Sequence, residues 1–226
     1  MHLVYLRMML KMGRIRKFRP SRTLARKQGT IQPKLKIYAF CEGMNTEPKF
    51  IREFSREQSN GLVSVEAIGA AGAPFQIVSS AVMKKLELEK VAASSGDSLD
   101  EKFEVWAVFD KDEHPKIPEA FQKAASNNIH VAFSNPCFEL WPALHYKNQS
   151  APIHRHKLQS DLSKLIPNYK NKGSKEVAFS DLPDEYTLAR SRAIALTKEH
   201  VAVGTPLGNP YTDVYQLFDK IIHNGK

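Results

Sequence analysis

The 226-residue chain reads as an α/β protein, a compact parallel sheet flanked by helices with a helical C-terminal elaboration. Two observations carry that reading. Short apolar runs rich in β-forming residues alternate with segments of helical pattern, and strands joined by helices imply parallel pairing with right-handed crossovers. Two of these runs, 35–40 and 103–109, lead directly into acidic motifs: Cys41-Glu42-Gly43-Met44-Asn45-Thr46-Glu47 and Asp110-Lys111-Asp112-Glu113. In an open α/β sheet the ends of adjacent parallel strands form the crevice where sites are built.

Each element has a local reason. Residues 35–41 form the first strand, and Thr46 is placed to cap a helix with Glu47 and Pro48 in its first turn, running to about residue 58. Asn60-Gly61 turns the chain into a strand at 62–68. The flexible stretch Gly69-Ala70-Ala71-Gly72-Ala73-Pro74 precedes a helix at 75–93, and a small polar loop follows at 94–100. The strand at 103–109 leads to a helix at 117–126 and a further strand at 129–134. Asn135-Pro136 then opens an apolar helix at 137–146, Asn135 as its cap and Pro142 as a kink within it. Beyond it the pattern is helix and loop: helices at 154–165, 184–202 and 212–223, and a lysine-rich loop at 169–175. The expected organisation is a basic arm at 1–34, an α/β core at 35–146 and a helical elaboration at 147–226, without internal repeats.

Charge separates the arm from the body. The formal net charge is +9, yet residues 1–36 hold eleven Lys and Arg and no acid, while the remaining 190 residues balance to −2. Arg14, Arg16, Lys17, Arg19, Arg22, Arg26 and Lys27 are the candidate nucleic-acid contacts, because an unopposed basic arm attracts phosphate backbones. The bland alternative is a solvated tail. Residues 3–10 are apolar but too short to span a bilayer, and their charge follows the apolar run, which makes a poor signal peptide. Met12 is an alternative start to Met1. Cys41 and Cys137 are the only cysteines; they provide neither a disulfide framework nor a four-thiolate zinc site, so the natural setting is a reducing cytoplasm, a disulfide between them being the alternative. The expectation is a cytoplasmic protein without membrane contact.

Asp110-Lys111-Asp112 puts two carboxylates at i and i+2, on one side of an extended chain and suited to gripping a cation; a surface turn is the competing reading. Glu42 follows the first strand directly, with Gly43 permitting a sharp turn, and reads as a metal ligand or general acid/base. Glu47 fits the same role, or simply favours the helix dipole. In Ser134-Asn135-Pro136-Cys137-Phe138-Glu139-Leu140-Trp141, Glu139 is an acid in a segment built for burial, and a buried acid needs a partner or a cation. Clustered carboxylates repel unless something positive lies between them, and Mg²⁺ or Mn²⁺, expected as two ions, is the economical filler. Lys172, in the lysine-rich loop, is placed to neutralise charge on a scissile phosphate, or is a solvated side chain. His114 balances local charge or ligates. His145, His154 and His156 lack a zinc pattern and are expected to be structural or surface groups.

Together, Glu42-Gly43-x-x-Thr46-Glu47-Pro48, Phe109-Asp110-x-Asp112-Glu113-His114 and Asn135-Pro136-Cys137-Phe138-Glu139-Leu140-Trp141 resemble RloB-type proteins, a branch of the Toprim superfamily found in topoisomerases, primases and nucleases. Tyr169-x-x-Lys172, Arg192-Ala193 and Asn209-Pro210-x-Thr212-x-Val214 extend the resemblance over nearly the whole chain from about Gly13. It implies a Toprim-like sheet with Glu42 as catalytic glutamate and Asp110 and Asp112 as the metal pair. It also implies phage defence, with an AAA- or ABC-like ATPase as sensor and this chain as effector nuclease. Strand passage would need further domains, and primase chemistry would normally use a zinc-binding region. Three readings remain: a Mg²⁺-dependent endonuclease of DNA or RNA, a non-catalytic nucleic-acid-binding module, and a subunit that docks an ATPase. Homo-oligomerisation is left open.

Overall fold

The computed structural model describes residues 33–70, 72–111, 114, 116–170 and 175–226. In chain order the elements are β1 (Leu35–Cys41), α1 (Thr46–Gln58), β2 (Val63–Gly69), α2 (Pro74–Ser95), β3 (Phe103–Asp110), α3 (Ile117–Ser126), β4 (His130–Asn135), α4 (Leu140–Tyr146), α5 (Arg155–Leu165), α6 (Tyr186–Ala202), β5 (Tyr211–Thr212) and α7 (Tyr215–Asn224). The sheet order is β2-β1-β3-β4-β5. The first four strands run parallel, and β5 pairs antiparallel with β4. From β1 the chain passes through α1 to β2 on one side, then crosses through α2 to β3 on the other. The order therefore reverses between β1 and β3, the position at which an open sheet splays its loops apart.

β3 sits mid-sheet, and every residue from Val105 to Asp110 is buried. That is why residues 105–109 are a continuous apolar run rather than an alternating one. One face of the sheet packs on a core that includes Phe50, Phe54, Phe138, Trp141 and Phe218. The rings of Phe54 and Phe218 are 4.4 Å apart between centroids, and those of Phe50 and Phe138 5.5 Å. The opposite face packs α2 and α3 through Ile77, Val78, Ala81 and Ala120 against Phe109 and Phe133. Among the described residues no helix is long and apolar enough to cross a membrane.

Three local expectations are corrected. Thr46 does not cap α1: Asn45 holds the cap position without a side-chain bond, and the Thr46 hydroxyl donates instead to the carbonyl of Lys175 at 2.9 Å. Asn135 does not cap a helix either. It is the last residue of β4, its side chain donates to the Leu207 carbonyl, and the Asn135–Pro136 peptide is cis. The chain turns over residues 137–139 before α4 starts at Leu140. Pro142 consequently falls in the first turn of α4, where its missing N–H removes no intrahelical bond, so no kink follows. Residues 147–226 also supply β5, and their Leu158, Leu162, Val177 and Ala193 enter the same core as α1.

Candidate functional site

The site starts from the β1–β3 reversal. The Glu42 N–H donates to the Val108 carbonyl at 2.9 Å, continuing the ladder one residue past β1. That register carries the Glu42 side chain to the end of β3, where its Oε2 accepts from the Asp110 N–H at 3.1 Å. His114 Nε2 lies 3.5 Å from Glu42 Oε1. Asp110, 8% exposed, accepts a further bond from the Phe138 backbone, and Arg155 Nη2 approaches its Oδ2 at 3.9 Å. Two strand ends and the turn before α4 thus converge on one acid.

Two more glutamates close in. A Cβ at Gly43 would occupy the space of the Glu47 carboxylate, which accepts backbone bonds from Gly43 and from its own N–H. The last residue of β2, Gly69, lies so close beneath the Met44 backbone that a Cβ would approach the Met44 carbonyl oxygen to 2.7 Å. Glycine at 43 and 69 lets the loop after β1 fold down and deliver Glu47. Glu139 is buried, and its Oε1 accepts from Gln159 Nε2 at 2.9 Å and from the Tyr169 hydroxyl at 3.0 Å. The buried acid in an apolar segment therefore has protein partners, one oxygen being bound by two donors.

The electrostatics follow from this crowding. Burial raises the Glu47 carboxyl to about 7, and the charges of Glu139 and Glu42 push the same way against the backbone bonds. Burial also holds Asp110 well above the usual carboxylate range, with Glu47, Glu139 and Glu42 adding to the shift. The Cys137 thiol is raised by burial and then by Glu139 and Asp110, and Tyr169 by burial and Glu139. Cys41 and Cys137 are buried free thiols.

Of the expected site residues, Glu42, Asp110, Glu47 and Glu139 are brought together. Asp112, Lys172 and the arm residues Arg14, Arg16, Lys17, Arg19, Arg22, Arg26 and Lys27 lie outside the described residues. Among the described residues, no three His, Cys, Asp or Glu side chains are arranged to hold a metal ion as they stand. The chemistry of the donor set nevertheless fits a hard divalent cation: it is all oxygen, and the neighbouring carboxylates raise the cost of ionising Asp110 and Glu47. His145 is buried beside the Pro183 carbonyl, and His154 Nδ1 accepts from the His156 N–H at the start of α5, as structural groups do.

Sequence reading missed Arg155 and Gln159, and it named Tyr169 only within a motif. Arg155 and Gln159 are one helical turn apart on α5, an i, i+4 pair on one face. α5 is anchored by Asn209, whose amide bonds both the N–H and the carbonyl of Ile153. Tyr169 precedes a segment pinned to α1, where Lys49 pairs with Glu176 at 2.6 Å and Glu53 accepts from the Phe179 N–H. The sole sequence signal was Gln159 between apolar positions 158 and 162, because its partner lies 20 residues away.

No curated protein and no solved structure matches the chain. A protein-family model does: the one described as RloB-like protein matches residues 37–221, from within β1 to within α7. That span holds all four clustered acids and the α5 residues that contact them, and the chain belongs to the RloB-like protein family.

Proposed function

We propose that this protein is a Mg²⁺- or Mn²⁺-dependent nuclease that hydrolyses phosphodiester bonds in DNA or RNA. In this reading it is the effector of an anti-phage defence that works with an AAA- or ABC-like ATPase. The supporting observation is the meeting of Glu42 and Asp110 at the β1–β3 reversal, with Glu47 and Glu139 close enough to perturb Asp110. A structural role alone gives no reason to concentrate four acids, two of them raised by burial and mutual repulsion, at the crevice of a parallel sheet. The defence setting and the ATPase partner rest on what the resemblance to RloB-type proteins implies.

Glu42, Asp110 and Asp112 would hold the ions, with Glu47 and Glu139 beside them. Bound divalent ions supply a water nucleophile at neutral pH and charge neutralisation on the leaving oxygen. The chain's own groups orient the rest. Tyr169 and Gln159 fix Glu139 by one oxygen, so its other oxygen has a set direction. His114 is positioned to exchange a proton with Glu42. Arg155 offsets the charge of Asp110. Lys172 is assigned to charge on the scissile phosphate.

One observation favours a second reading, a non-catalytic nucleic-acid-binding or ATPase-docking subunit. The donors on Glu139 and the Arg155–Asp110 approach are what a purely structural acid cluster would need. The deciding experiment incubates full-length protein, with and without a candidate ATPase, with DNA and total RNA in Mg²⁺, Mn²⁺ or EDTA. The nuclease reading expects cleavage that needs the divalent ion and disappears in Asp110→Asn. Binding or ATPase co-purification without any cleavage would establish the second.

A further inference from the structure

A cavity of about 440 Å³ lies between the start of α2 and the approach to α3, its described lining including Pro74, Phe75, Gln76, Ser79, His114 and Lys116. That volume is in the range of small-molecule sites. Its position is the first clue. His114 lines the cavity and also stands 3.5 Å from Glu42, so one side chain separates the cavity from the acid cluster.

Charge is the second. The described lining has Lys116 and His114 and no carboxylate. Lys123 stands just behind it, donating to Ser79 Oγ at 2.7 Å and lying 4.5 Å from the Phe75 ring centroid. The third clue is shape and polarity. Pro74 and the half-buried Phe75 give an apolar aromatic wall, and the side-chain amide N–H₂ of the exposed Gln76 adds a hydrogen-bond donor, while the Ser79 hydroxyl is engaged by the Phe75 carbonyl and Lys123. A flat ring with polar edges, attached to an anion, matches all three.

We propose that this cavity is the subsite for the base of an unpaired nucleotide next to the scissile phosphate, so that the substrate is a single strand or a locally unwound stretch of DNA or RNA. The inference rests on the nuclease reading of the acid cluster. Within a duplex a base is stacked on both faces and reaches such a pocket only after being flipped out, at a cost of a few kcal/mol. A single strand offers its bases freely, and aromatic side chains with basic neighbours are how such strands are held.

The test measures binding of the full-length protein in EDTA to labelled single-stranded DNA, single-stranded RNA and the matching duplex, by fluorescence anisotropy. Phe75→Leu keeps the apolar volume, and Lys116→Glu alters an exposed side chain, so folding survives in at least one. Both variants are expected to bind single strands about five- to tenfold more weakly, with duplex affinity unchanged in Phe75→Leu and lowered by a smaller factor in Lys116→Glu. Unchanged single-strand affinity in both would overturn the subsite. Equal losses on single strand and duplex would assign the effect to general phosphate attraction and likewise overturn it. Displacement of the bound strand by micromolar free mononucleotide would make the cavity a site for a free nucleotide and overturn the strand assignment. Variant-sensitive single-strand binding in a protein that never cleaves with Mn²⁺ would sink the nuclease reading and keep the base subsite.

Discussion

Glu139 shows how much one side chain decides. Its Oε1 takes bonds from Gln159 and Tyr169, and its charge adds to the shifts on Asp110 and Glu47. Tyr169→Phe removes a hydrogen bond to a buried charged acceptor, a loss of about 2 kcal/mol, so the metal-free protein should melt roughly 4–8 °C lower. Glu139→Gln keeps the shape and both acceptor bonds while removing the repulsion. It should leave the metal-free melting temperature unchanged or raise it, yet shrink the stabilisation by Mn²⁺ that mass action gives the wild type. Equal Mn²⁺-induced shifts in wild type and Glu139→Gln would take this residue out of the site. A second residue, away from the acids, sets a pH dependence. Burial lowers His145 to about 4, its Nδ1 lies 3.4 Å from the Pro183 carbonyl, and its Nε2 is buried with no partner among the described residues. A proton taken up at Nε2 would be an unpaired buried charge. Because the folded pKa is below the unfolded value of about 6.5, the unfolded state binds more protons between pH 6.5 and 4. His145 thus contributes stability above pH 6.5 that is lost as pH falls toward 4, up to about 3 kcal/mol. Urea midpoints measured across that window should fall less steeply in His145→Gln than in wild type; parallel curves would show that His145 does not titrate there.

At the scale of elements, the loop after β1 makes a contrast between two glycines. A methyl at Gly43 meets first the carboxylate end of Glu47, the far end of a flexible side chain. A methyl at Gly69 meets the Met44 backbone, and the loop or β2 must shift. Gly43→Ala should therefore cost about 1 kcal/mol, the backbone bonds that Glu47 gives up as it moves, and lose part of its Mn²⁺-induced stabilisation. Gly69→Ala should cost about 1–3 kcal/mol, as overpacking does. Calorimetry with and without Mn²⁺ separates them, and the reverse order would mean that the loop does not lie on β2 as described. This also marks how far the sequence was legible. The four parallel strands and most helices were readable because β-rich runs and helical periodicity are local, and the acids announced themselves by standing directly after apolar strands. What failed was anything fixed by distant partners. Thr46 looks like a cap until the Lys175 carbonyl reaches it, and Asn135 looks like one until Leu207 claims its amide. β5 has two residues, too few for an alternating pattern, and exists because β4 offers an edge. Arg155 and Gln159 resemble ordinary polar positions on a surface helix until α5 is packed beside the strand ends.

For the whole molecule the governing asymmetry is charge. Residues 1–36 hold eleven basic residues and no acid, whereas the other 190 residues carry two more acids than bases. A body of nearly balanced charge, with four of its acids gathered at one crevice, has little long-range attraction for a polyanion. Whatever draws nucleic acid in must come from the arm or from small positive patches such as the one around Lys116 and Lys123. The two contribute differently. Arm contacts neutralise phosphates and release counterions, so they add to the steepness of the salt dependence without distinguishing sequence or strandedness. The cavity beside His114 selects by stacking, which salt barely touches. Deleting residues 1–30 should therefore weaken binding to single strand and duplex alike and flatten the plot of log affinity against log salt, while leaving the ratio between them intact. Lys116→Glu and Phe75→Leu should alter that ratio and change the slope by no more than about one phosphate contact. Anisotropy titrations at four or five salt concentrations, on single-stranded and duplex forms of one sequence, measure slope and ratio together. A deletion variant with an undiminished slope would show that the arm is not the anchor and would move the search for phosphate contacts onto the folded body.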